Sequence, residues 1–374
     1  MSNVGMKMRK FVNVVTEHYM DGLCSLCRIK ASDLFYGSTQ EAEQEAKNRM
    51  ATDRRTKKMT LSPLPKPRIQ FNTARPADGS MDFLPFYGGN DDDGNKILYV
   101  DAAGRAVLYD AGSAATVETL PCLHKRKASG PVALSVARPG GAHDPARPDA
   151  LYVLDRIRGS FEALVYGDPT PPSPYQYRLA RCADMFVWHW LRLPPPPYAN
   201  GPGTVRSYAL LDGDTICVSS GAEDRFGTYF FNTATGQWTK AGSWILPFYG
   251  RAYAVPELDN LCFGIQDIRP HHLCALELSS SMDGDGGGGA PPPRLRHHWP
   301  DMDKPRGWRL QNVSMAYMGA GRFCIAKTFD VATVLNGVEV VRENGGTTSK
   351  SKLRMIRHKS VSYGLLKDAI RCVI

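Results

Sequence analysis

A chain of 374 residues, 43% of them hydrophobic and 22% charged, can bury a large core, which excludes a disordered polypeptide. No stretch reaches the roughly 18 consecutive apolar residues that a membrane-spanning helix needs, so membrane insertion is not expected. The net charge of +9 is concentrated at the ends: residues 1–60 hold 11 Lys and Arg against 7 Asp and Glu, and residues 342–374 hold 8 against 2. Because the remaining body is nearly neutral, we do not expect a nucleic acid as the partner.

The first segment of the chain suggests a location. Residues 1–16 contain three basic residues and no acid before Glu17, which fits a mitochondrial presequence. The β-branched run 11–16 favours a strand instead. The mitochondrion is therefore an alternative location, and a regulatory protein directed to an organelle is the corresponding alternative function.

The nine cysteines are odd in number and scattered, and many sit in apolar runs, as is typical of free thiols in a reducing compartment. We therefore expect the protein in the cytosol or the nucleus. Cys24 and Cys27 have the spacing of a zinc ligand pair, but no second pair completes the site. Alternation along a strand would also place the two sulfur atoms on opposite faces. We predict no metal and no cofactor.

Two segments read as insertions. Residues 39–58 carry acids early and bases late behind Ser38 and Thr39, as an exposed helix prefers. This segment has little apolar face, so we predict a solvated helical insertion. Residues 279–293 are rich in Gly and Pro and are predicted to form a flexible loop.

A loosely repeated pattern of strands and turns in the sequence indicates the fold class. Its unit is an apolar strand, a tight turn, a second strand and a return strand that often carries Trp or Leu-Pro. The strands of the five copies are predicted at 96–101, 105–110 and 116–121; 150–155, 161–166 and 188–194; 215–220, 227–232 and 237–242; 260–264, 273–278 and 295–299; and 321–327, 337–341 and 352–357. Equivalent positions are separated by 57, 65, 45 and 64 residues, and repeats of about 50 residues are typical of kelch propellers.

A sixth unit is predicted at the beginning of the chain, from strands at 11–16 and 23–28. Strands from both chain ends could then close the last blade, which removes the exposed sheet edges of a circular array. The prediction is an all-β, kelch-like β-propeller of six blades. It forms a single domain.

No motif of a known catalytic site stands out. The sequence contains no nucleophile elbow, no phosphate loop with its lysine and no HExxH. A propeller enzyme with an axial metal or small-molecule site is the other alternative function, and His189, His271 and His272 are its candidate ligands.

A proline motif suggests a partner of a different kind. Pro195, Pro196, Pro197 and Tyr198 satisfy the PPxY form that WW domains recognise in a polyproline II conformation. We favour the simpler interpretation that this segment is a loop between two blades in which Tyr198 is packed.

Nine segments in combination resemble a large family of uncharacterised plant proteins, expanded in grasses and related to kelch-type F-box propellers. They are 8–13 (MRKFVN), 34–36 (LFY), 97–101 (ILYVD), 188–190 (WHW), 193–197 (LPPPP), 215–220 (TICVSS), 244–250 (WILPFYG), 255–259 (VPELD) and 321–327 (GRFCIAK). The resemblance implies a propeller fold and no known catalytic residue. It also implies that residues 1–7 are an N-terminal extension and that the propeller domain comprises residues 8–374. No F-box segment precedes the first blade in this sequence.

The function that follows is a non-enzymatic protein-binding scaffold or adaptor, expected to be a monomer. Propellers bind through loops of irregular length. The loops of most irregular length are 124–149, 168–184, 222–226, 279–293 and 344–350. Among their residues Lys125, Arg126, Lys127 and Arg225 are predicted to be exposed charges that contact a protein partner.

Overall fold

The computed structural model describes residues 8–52, 60–72, 81–86, 96–113, 116–128, 130–137, 149–167, 187–199, 204–221, 227–278, 291–300, 307–343, 352–364 and 368–374. The chain divides into two compact units. The first comprises residues 1–76, 246–279 and 292–374, and the second comprises 77–245 and 280–291. In the described residues no helix is long and apolar enough to cross a membrane.

The described residues form 26 strands. In chain order these are β1 (Phe11–His18), β2 (Cys24–Lys30), β3 (Leu61–Ser62), β4 (Ile69–Phe71), β5 (Asp82–Pro85), β6 (Lys96–Val100), β7 (Ala106–Asp110), β8 (Thr116–Leu120), β9 (Val132–Val136), β10 (Ala150–Leu154), β11 (Phe161–Gly167), β12 (Val187–Leu193), β13 (Thr204–Leu211), β14 (Thr215–Gly221), β15 (Gly227–Asn232), β16 (Gln237–Gly242), β17 (Gly250–Arg251), β18 (Tyr253–Val255), β19 (Leu261–Ile265), β20 (Leu273–Leu276), β21 (Leu295–Trp299), β22 (Leu310–Gly319), β23 (Arg322–Phe329), β24 (Ala332–Arg342), β25 (Leu353–Gly364) and β26 (Asp368–Val373). The helices are α1 (Ala31–Leu34), α2 (Thr39–Thr52) and a 3-10 turn (Pro256–Leu258).

These strands build the six blades of a β-propeller, and the prediction of the fold class is confirmed. The first unit holds three blades, with the strand orders β26-β1-β2-β4, β18-β19-β20-β21 and β22-β23-β24-β25-β3. The second unit holds the blades β5-β6-β7-β8, β9-β10-β11-β12 and β13-β14-β15-β16. The middle strands β19 and β20 are buried along their whole length, which is why they read as continuous apolar runs rather than as alternating ones.

The two ends of the chain share one blade, as predicted. Strand β1 pairs antiparallel with β26, and Val14 lies opposite Val373. The other edge of β1 pairs with β2, where Val14 lies opposite Cys27. Both cysteines of β2, Cys24 and Cys27, are buried in this blade.

Each repeat copy has one strand more than the sequence predicted. The additional strands are β5, β9, β13, β18 and β22, and each pairs with the first strand of its copy. The shortest, β18, has three residues, too few for an apolar period to stand out. In the longest, β22, polar residues such as Asn312 and Ser314 interrupt the apolar pattern.

The predicted helical insertion exists, but it is less solvated than predicted. Helix α2 extends from Thr39 to Thr52, and the rest of the predicted segment lies outside the described residues. Ala42 is buried, and Glu43 forms an ion pair with Arg354 of β25. One side of the helix therefore packs against the β22–β25 blade.

A buried polar network fastens this insertion to the same blade. Glu339 on β24 accepts hydrogen bonds from Arg322 Nε (3.0 Å), His358 Nε2 (3.1 Å) and Thr39 Oγ1 (3.0 Å). His358 Nδ1 accepts the backbone N–H of Tyr36 at 3.1 Å, so its Nε2 carries the proton. Burial raises the pKa of Glu339, but the hydrogen bonds and the charge of Arg322 outweigh it and hold the pKa below its usual value.

This network predicts a pH dependence. A carboxylate whose pKa is lowered by folding stabilises the protein above its unfolded pKa, and that contribution is lost as the pH falls through the folded pKa. We therefore expect the stability advantage of the native protein over Glu339→Gln to shrink as the pH falls below 4.5, the ordinary value for this group. Urea unfolding of both proteins between about pH 7 and pH 3.5 measures this difference in the free energy of unfolding. An advantage that stays constant over this range would contradict the prediction.

Candidate functional site

The segment 124–127, between β8 and β9, is held by one buried carboxylate. Glu162 of β11 accepts the backbone N–H groups of His124 (2.8 Å) and Lys125 (3.1 Å). It also accepts His124 Nδ1 at 2.9 Å and forms an ion pair with the ammonium group of Lys127. Lys127 Nζ donates further to Ser160 Oγ at 3.1 Å. The path of this segment is therefore fixed by contacts to a strand of the neighbouring blade of the same unit.

The prediction that Lys127 is an exposed charge is wrong. Its side chain is 2% exposed and lies against Glu162, which is buried to the same degree. The partner lies 35 residues away in the sequence, so no local pattern reveals it. Lys125 and Arg126, by contrast, are exposed as predicted.

The electrostatics of this cluster keep Glu162 ionised. Burial raises its pKa, but hydrogen bonds from Lys127 and His124 and the charge of Lys127 outweigh this and hold the pKa below its usual range. The same burial lowers the pKa of Lys127 despite the bond to Glu162. Removing one residue of such a buried ion pair lowers the free energy of unfolding strongly, because the remaining charge stays buried without its partner.

The proline motif places its tyrosine in the core. Tyr198 is 1% exposed, and its ring lies 5.3 Å from that of Tyr229. Pro196 is buried as well, whereas Pro195 and Pro197 are exposed. The loop interpretation of this segment agrees with the structure. In the folded chain the Tyr198 ring is not available to a WW domain.

The buried phenol of Tyr198 gives a second prediction. Its hydroxyl has no hydrogen-bond partner among the described residues, and burial raises its pKa well above the usual value. An unpaired buried hydroxyl costs about 1–3 kcal/mol. Tyr198→Phe is therefore expected to leave the free energy of unfolding unchanged or to raise it by up to about 1 kcal/mol. Thermal and urea unfolding measure this change. If the substitution lowered the free energy of unfolding by more than about 1 kcal/mol, the hydroxyl would form a hydrogen bond in the folded protein, contrary to the prediction.

Other predicted contact residues lie outside the described residues. These are Arg225 and the loops 168–184, 222–226 and 344–350, together with residues 279–290 of the Gly/Pro-rich loop. The loop 124–149 is described at 124–128, 130–137 and 149.

The three candidate histidines belong to different units of the chain. His189 lies on β12, the edge strand of its blade in the second unit. His271 and His272 lie in the first unit, between β19 and β20. The ring of His271 is 2.8 Å from the Gln266 carbonyl oxygen, and the ring of His272 contacts that of His298 at 5.1 Å. Within the described residues no group of three or more His, Cys, Asp or Glu side chains could hold a metal ion.

The first unit contains a cationic cavity that the sequence did not suggest. Its volume is about 270 Å³, and three of its lining residues are the cations Arg269, Arg309 and Lys327. The apolar part of the wall is formed by Pro270, Leu310 and Phe329. The cavity brings together the turn between β19 and β20, the beginning of β22 and the end of β23. The turn precedes the other two segments by about 40 and 60 residues, which is why no motif marks them together.

Comparisons with known proteins match most of the chain to one family. Residues 9–363 match a family described as "Protein of unknown function (DUF1668)". No curated protein matches the chain. Similar solved structures are the Swd1 (Cps50) β-propeller domain of Myceliophteria thermophila (TM-score 0.39), a protein from Lactobacillus plantarum (0.40) and Hsv2 from Kluyveromyces lactis (0.35). Each is 10% identical, and the alignments cover 94%, 98% and 93% of this chain and 86%, 99% and 98% of the other.

Proposed function

Because this chain belongs to the DUF1668 family, whose function is unknown, we propose a function from its own residues: it is a protein-interaction scaffold that binds an acidic partner surface. The observation that supports this proposal is the rigid presentation of Lys125 and Arg126. Both side chains are exposed, and the backbone N–H groups of His124 and Lys125 donate to the buried carboxylate of Glu162. A preordered charged segment loses little entropy on binding.

The chemistry of this segment specifies the partner. Two adjacent cations attract carboxylate or phosphorylated surfaces, and complementary charge raises the rate of encounter. The association is therefore expected to weaken with ionic strength. The cytosol or the nucleus remains the proposed location, and a relation to kelch-type propellers is part of this proposal, based on the repeat at 215–242.

The experiment is affinity purification of the tagged protein from its own cells, followed by quantitative mass spectrometry. The test variant is the double substitution Lys125→Glu with Arg126→Glu. The matched control is Lys66→Glu with Arg68→Glu, which makes the same charge change at two other exposed cations. Partners that are lost at least tenfold in the test variant and retained in the control support the proposal.

Two results would contradict it. Capture of the same partners by the test variant would show that Lys125 and Arg126 are not the contact. An equal loss in test variant and control would show attraction to net charge alone. Because exposed substitutions usually change stability by less than about 0.5 kcal/mol, urea unfolding of each variant verifies that the fold is intact.

A further inference from the structure

We propose that the cationic cavity of the first unit, lined by Arg269, Arg309 and Lys327, binds a phosphate monoester group. The cavity lies in the first unit, whereas Lys125 and Arg126 belong to the second. The inference therefore does not depend on the scaffold proposal.

The position of Lys327 is the first argument. It lies on β23 in a run where every residue from Phe323 to Phe329 is buried, and it is 5% exposed itself. Lysine is almost never buried to this extent without a specific reason, since removing an ammonium group from water is costly. Its Nζ donates to the carbonyl oxygen of Pro270 at 3.2 Å, which directs the ammonium group to the cavity wall.

The two arginines supply the second argument. Arg269 and Arg309 are exposed and line the same cavity from two different segments. A guanidinium group offers a planar fork of N–H donors that fits phosphate oxygens, and a lysine ammonium adds a point charge. Three cations around one cavity all attract an anion, and they attract a doubly charged anion most strongly.

No carboxylate is among the described residues that line the cavity, and the charged side chains among them are all cationic. The nearby Asp330 follows Phe329, and its Oδ1 accepts the backbone N–H of Arg309 at 3.1 Å.

The volume and the polarity of the cavity limit the class of ligand that it can bind. A volume of about 270 Å³ lies just below the roughly 300–1,000 Å³ of pockets for drug-sized ligands. It suits one phosphate with a short organic group. Pro270, Leu310 and Phe329 offer apolar contact to that organic group, which favours an ester over the bare ion. The ester can be a free small molecule or a phosphorylated side chain of a protein.

The test uses the purified full chain and isothermal titration calorimetry. The probes are inorganic phosphate, glycerol 3-phosphate, a phosphoserine peptide and the same peptide without phosphate. We expect saturable binding of the phosphorylated probes with dissociation constants of about 1 mM or tighter. Equal affinity for glycerol 3-phosphate and the phosphopeptide points to a free small ester, and tighter binding of the phosphopeptide points to a protein source.

The test variant is Arg269→Gln with Arg309→Gln, and the matched control is Lys66→Gln with Arg68→Gln. Because all four residues are exposed, both variants are expected to fold. Binding that is at least tenfold weaker in the test variant and unchanged in the control supports the site. Absence of saturable binding by the native protein, or equal binding by the test variant, would overturn it.

A third variant tests whether the buried lysine itself contributes to phosphate binding. Lys327→Met retains the length and the apolar stem of the side chain and removes its charge. It is expected to weaken phosphate binding at least tenfold while the other parts of the cavity remain. If Lys327→Met bound phosphate like the native protein, the buried lysine would take no part in phosphate binding, and the proposal would fail.

Discussion

The substitution Gly337→Ala is expected to lower the free energy of unfolding by roughly 3 kcal/mol or more. A Cβ atom at this position of β24 would lie 2.1 Å from the backbone carbonyl oxygen of Leu34. Leu34 is fully buried at the end of α1, in a core cluster of the first unit. Because the obstacle is backbone rather than the end of a flexible side chain, relief requires that α1 or β24 move.

The matched control is Gly167→Ala at the end of β11. There an added Cβ would meet only His189 Cε1 at 3.9 Å, and the backbone has no left-handed conformation. The control is therefore expected to change stability by less than about 1 kcal/mol, with a gain possible because alanine restricts the unfolded chain. Urea unfolding of both variants measures the difference. If Gly337→Ala were as stable as Gly167→Ala, α1 could not lie as close to β24 as this distance requires, and the prediction would be contradicted.

The substitution Glu162→Ala is expected to cost about 3–5 kcal/mol, because it leaves the buried ammonium group of Lys127 without its ion-pair partner. It also removes the acceptor for the backbone N–H groups of His124 and Lys125. A stability loss of this size is rare for a single substitution and would identify the pair as a buried one.

A double substitution tests whether the buried charge of Lys127 causes this loss. Glu162→Leu with Lys127→Met replaces both charges with apolar groups, and we expect it to recover part of the loss. Full recovery is not expected, since the two backbone N–H groups stay without the carboxylate. A cost of Glu162→Ala below about 0.5 kcal/mol would contradict the buried geometry, because that is the range of exposed positions.

The same variant connects stability with the proposed function. Glu162→Ala retains Lys125 and Arg126 but releases the backbone that presents them. Partner capture is therefore expected to fall although both contact charges remain. If capture persisted in a folded Glu162→Ala protein, a preordered segment would not be necessary for binding.

Much of the fold was predictable because blade strands and their turns are local features. The alternation of apolar runs with Gly-containing turns indicated three strands of each repeat copy, and β1 and β2 followed from the runs at 11–16 and 23–28. Closure by both chain ends followed from the need to cover sheet edges, and the pairing of β1 with β26 confirms it. The additional strands were not predicted. Two of them, β18 and β5, have only three and four residues, which carry too little period, and polar residues interrupt the apolar pattern of the longest, β22.

The candidate sites, in contrast, were decided by tertiary structure. Lys127 looks like its neighbours Lys125 and Arg126 in the sequence, and only the carboxylate brought to it by β11 buries it. The cavity at Lys327 depends on a turn 57 residues earlier and on the beginning of β22. The sequence by itself determined the number and order of the blades, because strand formation depends on near neighbours and their period. The environment of each charge was set only when distant segments met, because solvation and electrostatic interaction depend on distance in space rather than along the chain.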